Sequence, residues 1–155
     1  FDDDPAWVGP LAALLRSAPW VEPALDAADL VLPVPLYPAR VRARGFNQAQ
    51  LLAQALAPSK YRRDLLLRIR DTPPQSGLGR AARLRNLRGA FAVEPLRANE
   101  LQARRVVLID DVMTTGASLH AAAAVLRQAG ATHITGLVLA RTEAITAHAE
   151  DPIAD

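Results

Sequence analysis

Residues 106–118 read Val106-Val107-Leu108-Ile109-Asp110-Asp111-Val112-Met113-Thr114-Thr115-Gly116-Ala117-Ser118. The apolar run predicts a buried strand over residues 105–109, and two adjacent carboxylates follow it directly. Two hydroxyls, a glycine and a third hydroxyl come next, where the apolar spacing predicts a helix over residues 117–129 that stops at Gly130. A strand that leads through acids into a helix start is typical of an α/β sheet, in which ligands bind at the carboxyl edge.

The loop after the two acids has the composition of an anion site. Amides and hydroxyls at a helix start bind phosphate, and Gly116 lets the backbone approach the anion closely. Successive strand side chains point to opposite faces, so we expect different roles for Asp110 and Asp111. Their charges repel each other unless hydroxyl donors or a cation satisfy them. A ligand with a phosphate, a vicinal diol and a magnesium-bound polyphosphate would satisfy the whole set.

Strands and helices alternate on both sides of this stretch. The apolar patterns predict helices over residues 5–16 and 48–56 and strands over residues 29–34, 64–70, 91–93 and 132–140. Residues around Pro19 and Pro23 are predicted to form a turn, and residues 37–46 a basic loop that closes on Gly45. Residues 71–90 combine prolines, glycines and bases, which favours a functional loop or lid with a short helix. The alternation predicts an α/β fold with a mainly parallel central sheet flanked by helices.

Length and composition exclude several classes of protein. The 155 residues predict a single domain, 1–155, and the lack of cysteine excludes a disulfide scaffold, a thiolate zinc site, an iron–sulfur cluster and a cysteine nucleophile. No apolar run reaches the roughly 18 residues of a membrane span, and no signal peptide opens the chain, so we predict a cytoplasmic protein. Because the chain begins at Phe1 and not at methionine, we expect a further segment upstream.

The net charge of +2 conceals a basic middle. The charge balance is −5 over residues 1–39, +11 over residues 40–105 and −4 over residues 106–155. A basic middle attracts phosphate-bearing partners, whether small or polymeric, although a solvated arginine-rich face would give the same composition.

Other candidate motifs in the sequence lack the neighbouring residues or the spacing that their functions require. Gly77-Leu-Gly79-Arg-Ala-Ala82 has the spacing of a dinucleotide-binding loop, but it follows prolines and not a strand. The single lysine, Lys60, follows Ser59, which excludes a Walker A loop. The histidines, at positions 120, 133 and 148, lack metal-ligand spacing.

The acid pair and the loop behind it resemble the 5-phosphoribosyl 1-pyrophosphate (PRPP) motif of type I phosphoribosyltransferases. That motif consists of four apolar residues, two acids and a Thr-Thr-Gly-x-Ser/Thr loop, and residues 106–118 match it throughout. The resemblance implies that Asp110 and Asp111 contact the ribose, act in catalysis and hold Mg²⁺ directly or through water. It also implies a 5-phosphate site formed by Thr114, Thr115, Gly116, Ala117 and Ser118.

Upstream residues narrow the resemblance to the competence protein F (ComF) family, which is similar to the transferase half of glutamine PRPP amidotransferase. The matching features are the proline-rich strand end and Arg-Gly-Phe-Asn-Gln sequence within residues 33–53, and Arg70-Asp-Thr-Pro-Pro-Gln75 followed by Leu78, Arg83, Asn86 and Phe91. The family implies a type I phosphoribosyltransferase fold with a small N-terminal hood, here residues 1–28 with the tail, that recognises the acceptor. A four-cysteine zinc module often precedes this domain in the family, and this cysteine-free chain does not contain it.

The resemblance implies two further parts of the site. A pyrophosphate loop over residues 35–46 would include Arg40, Arg42, Arg44 and Gly45, and a flexible lid over residues 71–88 would include Gln75, Arg83 and Asn86. Arginines and magnesium would stabilise the departing pyrophosphate. A closed lid would keep water from the oxocarbenium-like state at the anomeric carbon.

Two functions from different classes remain open. The first is a magnesium-dependent phosphoribosyltransferase that acts on PRPP and an unknown acceptor, linked to DNA uptake in natural competence. The second is a non-catalytic module of the competence machinery that binds PRPP, nucleotides or single-stranded DNA, or that contacts competence and recombination proteins. The basic middle serves both functions, whereas the low aromatic content of 5% weakens a stacking platform for single strands.

Overall fold

The computed structural model describes residues 6–72 and 85–142. The helices are α1 Val8–Arg16, α2 Val21–Ala27, α3 Pro38–Arg44, α4 Gln48–Leu56 and α5 Ala117–Gln128, with a 3₁₀ helix at Pro95–Leu101. The strands are β1 Leu30–Pro33, β2 Leu66–Arg68, β3 Phe91–Val93, β4 Arg105–Met113 and β5 His133–Arg141. None of the described helices has the length and apolar character that a membrane span requires.

The central sheet of the described residues is parallel. Its strand order is β1-β4-β5, with Leu30 opposite Val106 and Arg105 opposite His133. Strands β2 and β3 form a separate antiparallel pair. Helices pack on both faces of the sheet, which confirms the predicted α/β architecture.

Alternation along β4 divides the core into two layers. Val106 and Leu108 point to the layer that contains α5 and the β2–β3 pair. Val107 and Ile109 point to the layer that contains α1, α2 and α4. The same period places Asp110 on the face of α5 and the β2–β3 pair and Asp111 on the opposite face.

The segment interpreted as an N-terminal hood packs closely on the sheet over its described part, residues 6–28. Leu15 of α1 and Leu25 of α2 are buried in one layer with Leu52 of α4. The rings of Trp7 and Phe46 lie 6.0 Å apart, which anchors the segment that follows α3.

Two segments predicted as irregular are helical. The predicted turn near Pro19 and Pro23 includes α2, since Pro23 lies in its first turn, where a missing amide costs no hydrogen bond. The predicted basic loop over residues 37–46 is mostly α3, which begins with Pro38 and ends at Gly45 with φ of +85°. Proline at the start and glycine at the end delimit a helix that buries no side chain, so it lacks the apolar spacing that indicates a helix.

The strand that carries the acid pair is longer than predicted. The sequence predicts it over residues 105–109, but pairing with β5 continues to Met113, opposite Arg141. Asp110 and Asp111 are therefore held within a paired strand, and their backbone positions are fixed by the sheet.

Candidate functional site

Asp110 and Asp111 lie half-buried near the end of the central strand β4. The Asp111 amide donates to Asp110 Oδ1 at 3.0 Å, and the Val112 amide donates to Asp111 Oδ1 at 2.7 Å. Each carboxylate therefore accepts a hydrogen bond from the next backbone amide and keeps further lone pairs for a ligand.

The Asp110 carboxyl is destabilised in its charged form. Burial, followed by the charge of Asp111, raises the pKa of Asp110 from 3.8 to about 7, and the charge of Arg68 opposes this rise. The ligand-free site therefore carries an electrostatic cost. A bound cation or a hydroxyl donor would relieve it.

The loop behind the acids turns at Gly116, the residue before α5. Gly116 has φ of +71°, and a Cβ atom there would lie 3.3 Å from Met113 Sδ, so the turn requires glycine. Thr115 Oγ1 accepts a hydrogen bond from the Ala117 amide at 3.4 Å. Thr114 is exposed, Thr115, Gly116 and Ser118 are half-buried, and only Ala117 is buried. The five predicted phosphate-site residues thus form an accessible loop at a helix N-terminus.

Of the arginines of the predicted pyrophosphate loop, Arg40 is directed toward the start of the predicted lid. Arg40 Nη2 donates to the Thr72 carbonyl at 2.7 Å, and its Nε lies 3.5 Å from Asp71 Oδ1. Arg42 and Arg44 are exposed on α3, and Gly45 ends that helix. The charges of Arg40 and of Asp110 both act on Arg68, so Arg68 lies between Arg40 and the acid pair in this set of charges.

Arg68 is a site residue that the sequence analysis missed. Its Nη2 donates to Thr72 Oγ1 at 2.5 Å, and its guanidinium lies 5.4 Å from the centre of the Phe91 ring. Burial lowers the pKa of Arg68, as does the charge of Arg40, while the charges of Asp71 and Asp110 raise it. Its Nε is buried and has no hydrogen-bond partner within residues 6–72 and 85–142. The one sequence signal that could have drawn attention to it is an arginine inside the apolar run of β2.

The predicted lid falls mostly outside the described residues. Gln75 and Arg83 lie in residues 73–84, and Asn86 lies in the described part and is exposed. The roles of these three residues stay predictions, as do the individual roles of the acid pair, the phosphate loop and the α3 arginines.

Residues 41–153 match the phosphoribosyl transferase domain family. The chain belongs to this family. The match starts in α3 and includes β2, the acid pair, the loop at Gly116 and α5. The structure is also similar to that of an allosteric regulatory enzyme of purine biosynthesis, with a TM-score of 0.50 and 21% identity, over 85% of this chain and 24% of that one. This likeness agrees with the type I phosphoribosyltransferase fold.

Curated relatives of this phosphoribosyltransferase domain bear out the resemblance to the ComF family. The chain is 38% identical over 120 residues to competence protein F of Haemophilus influenzae. It is 36% identical over 121 residues to the DNA utilization protein YhgH of Escherichia coli K12, and 35% identical over 119 residues to competence protein ComFC of Bacillus subtilis. Each match covers 76% of this chain and 52%, 52% and 46% of the three relatives, so the chain spans about half of their length.

Proposed function

We propose that this domain binds PRPP with Mg²⁺ and transfers the phosphoribosyl group to an acceptor. The observation that carries the proposal is the half-buried pair of adjacent carboxylates, Asp110 and Asp111, directly ahead of the left-handed turn at Gly116. A sugar phosphate with a vicinal diol matches this order of groups, because hydroxyls donate to carboxylates and a phosphate accepts from helix-start amides.

In this proposal, each part of PRPP binds to residues of matching chemistry. The ribose hydroxyls would donate to Asp110 and Asp111. The 5-phosphate would accept from the amides and hydroxyls of the loop Thr114–Ser118 at the N-terminus of α5.

The acid pair suits Mg²⁺ as part of a shared site. The described residues contain no cluster of three or more histidine, aspartate or glutamate side chains that could hold a metal alone. Magnesium is commonly held by one or two carboxylates together with substrate phosphates, and a cation beside Asp110 would favour its ionised form, whose pKa burial and the charge of Asp111 raise to about 7. Bound with PRPP, the ion would neutralise charge on the pyrophosphate oxygens.

The transfer exchanges one bond at the anomeric carbon for another. The bond from C1 of the ribose to pyrophosphate breaks, and pyrophosphate leaves with the electron pair. A lone pair of the acceptor forms the new bond to C1, and the acceptor loses a proton to solvent or to a pyrophosphate oxygen. Asp110 and Asp111 would stabilise the positive charge that develops on the sugar, and Arg40 the negative charge on the leaving group.

Calorimetric titration with PRPP and Mg²⁺ tests the site. We expect Asp110→Asn and Asp111→Asn each to weaken binding at least about tenfold, since each removes a charged acceptor. Asp26→Asn, an exposed aspartate on α2 outside the site, is the matched control and should bind as the parent chain does. Unchanged affinity in both site variants would remove the assignment, and release of pyrophosphate with a panel of bases and amines would establish turnover.

A second candidate is a nucleic-acid-binding module that uses the same fold. The relatives are named for competence and for DNA utilization, and residues 40–105 carry a charge balance of +11. Single-stranded DNA would then lie along the basic face and bind mainly through its phosphates.

A further inference from the structure

A cleft of about 240 Å³ opens at the amino-terminal edge of the central sheet, between helix α2 and the first residues of β4 and β5. Arg105 lines it at the start of β4, and the acid pair follows roughly 17 Å further along the strand, since a parallel strand rises about 3.3 Å per residue. Among the described residues that line the cleft, none belongs to the acid pair, to the loop Thr114–Ser118 or to α3. The cleft is therefore separate from the site at the carboxyl edge.

Small side chains on α2 leave the cleft open. Val21 and Leu25 of this helix are buried in the core layer with α1 and α4, while Ala24 and Ala27 line the cleft. The apolar lining residues are Pro23, Ala24, Ala27, Ala28, Val106 and Val107. The volume holds about eight groups of the size of a water molecule, each of which takes roughly 30 Å³ in the liquid. The cleft therefore suits a short aliphatic chain.

Two basic side chains lie side by side at this cleft. Arg105 and His133 are opposite each other in the register of β4 and β5, so both project from the same face of the sheet, and both are exposed. Thr135 adds a hydroxyl two residues further along β5. In the described part of the chain, no hydrogen bond or ion pair engages the side chain of Arg105 or of His133. A guanidinium, an imidazole and a hydroxyl are thus available to a ligand.

The acids near the cleft are engaged elsewhere. Asp29, directly before β1, accepts from the Arg105 amide at 2.8 Å through Oδ2, and its Oδ1 lies 3.7 Å from Arg104 Nη1. On α2, Glu22 forms an ion pair with Arg16. None of the described lining residues carries a carboxylate, so the charge at the cleft favours an anionic ligand. A carboxylate matches the planar fork of the guanidinium.

We propose that this cleft binds a small aliphatic carboxylate, with the carboxylate on Arg105 and His133 and the alkyl chain against the alanines of α2. The site does not depend on the proposed function above, because it lies at the opposite edge of the sheet from the acid pair. A ligand bound here would leave the loop at Gly116 uncovered.

The test uses hexanoate as the probe, hexanamide as its neutral analogue and acetate as the anion without the chain. Each is titrated into the full chain and followed in two-dimensional amide NMR spectra. We expect hexanoate to bind at least about tenfold more tightly than either analogue, because only hexanoate combines a charge-assisted hydrogen bond with burial of a chain. The amide signals of residues 105–107 and 133–135 should shift, and those of residues 110–118 should not.

Two variants and two matched controls locate the contacts. Arg105→Gln should weaken hexanoate at least about tenfold and leave hexanamide unchanged. Ala24→Leu should weaken hexanoate by filling the cleft from α2. Arg127→Gln, an exposed arginine on α5, and Ala13→Leu, an exposed alanine on α1, lie outside the cleft and should bind hexanoate as the parent chain does.

Several results would overturn the proposal. They are a lack of saturable binding of hexanoate, equal affinity for hexanamide, and signals that shift in the loop Thr114–Ser118 instead of at the start of β4 and β5. Equal losses of affinity in Arg105→Gln and Arg127→Gln would show that net charge alone attracts the anion. Inorganic phosphate that binds as tightly as hexanoate would refute the contact with the alkyl chain. If thermal melting shows that Arg105→Gln is unfolded, the comparison of Ala24→Leu with Ala13→Leu decides.

Discussion

At the scale of single residues, the position of Asp110 beside Asp111 suits ligand binding but lowers the stability of the folded, ligand-free protein. Asp110 is held in a strand beside Asp111 and is partly withdrawn from water, which raises its pKa to about 7. A folded-state pKa above the unfolded value of 3.8 means that the folded chain binds the proton more tightly. The contribution of this group to stability is therefore greatest at low pH and declines as the pH rises from about 4 to about 7.

Asp110→Asn should accordingly stabilise the ligand-free protein at pH 8. We expect a gain of about 1–2 kcal/mol after allowing for solvent screening of a half-buried group, and almost no gain below about pH 3, where the parent carboxyl is protonated in both states. Urea unfolding at the two pH values measures this difference, with Asp26→Asn as the control. A difference in stability that does not change with pH would contradict the account of the acid pair.

Gly116 is the second residue on which the site depends. Gly116→Ala should destabilise the protein by about 1–2 kcal/mol, because its φ of +71° is unfavourable for alanine and the added Cβ would lie 3.3 Å from Met113 Sδ. Gly9→Ala is the matched control: Gly9 lies in α1 with nothing within 4 Å of an added Cβ, so alanine there should stabilise by about 0.5–1 kcal/mol. Equal effects of the two substitutions on unfolding would show that the turn does not require glycine.

At the scale of elements, how well the sequence predicts a segment depends on whether its pattern is local. Helix α4 has the predicted bounds because Asn47 caps it and leucines repeat along its buried face. Helix α3 buries no side chain, so only its proline and glycine boundaries indicate it. The acids and the loop of the site could be predicted from the sequence because they are contiguous in the chain.

The place of Arg68 in the site could not be predicted in the same way, because it depends on contacts between residues that are far apart in sequence. The β2–β3 pair packs in the same core layer as α5, and this packing brings the end of β2 near the end of β4. The apolar pattern of residues 64–70 does not indicate that the end of this strand lies near the end of β4.

Asn47 joins two of these elements. Its side chain caps α4 and also binds the Val34 carbonyl at the end of β1, and it is 8% exposed. Asn47→Ala should destabilise the protein by about 1–3 kcal/mol, since a cap is lost and a buried carbonyl is left without its donor. Gln54→Ala, an exposed position on the same helix, is the control for helix propensity. Urea midpoints that coincide for the two variants would contradict this role.

At the scale of the whole molecule, charge is distributed unevenly along the chain. The balance of +11 over residues 40–105 lies between two acidic segments, and in the described part its arginines include Arg68, whose charge acts on Asp110, and Arg40, whose charge acts on Arg68. A polyphosphate pocket and a nucleic-acid groove share this electrostatic character.

Salt dependence distinguishes a DNA groove from a small-molecule pocket. If single-stranded DNA binds, its affinity should fall steeply with salt and should weaken in a variant with glutamine at Arg40, Arg42, Arg44 and Arg83. Fluorescence anisotropy of a labelled oligonucleotide measures both effects, and Arg127→Gln with Arg141→Gln is the control for the loss of charge elsewhere. A complex that is indifferent to salt and to the four substitutions would contradict an electrostatic groove.

The central claim is that a sugar phosphate binds with its diol on the acid pair and its phosphate on the loop at Gly116. A crystal structure of the chain with PRPP and Mg²⁺ tests this arrangement most directly. We predict that the 5-phosphate lies against the amides of Thr115–Ser118 and that the ribose hydroxyls lie within hydrogen-bonding distance of Asp110 and Asp111. A 5-phosphate bound elsewhere, for example on the arginines of α3 with the loop at Gly116 empty, would contradict the account.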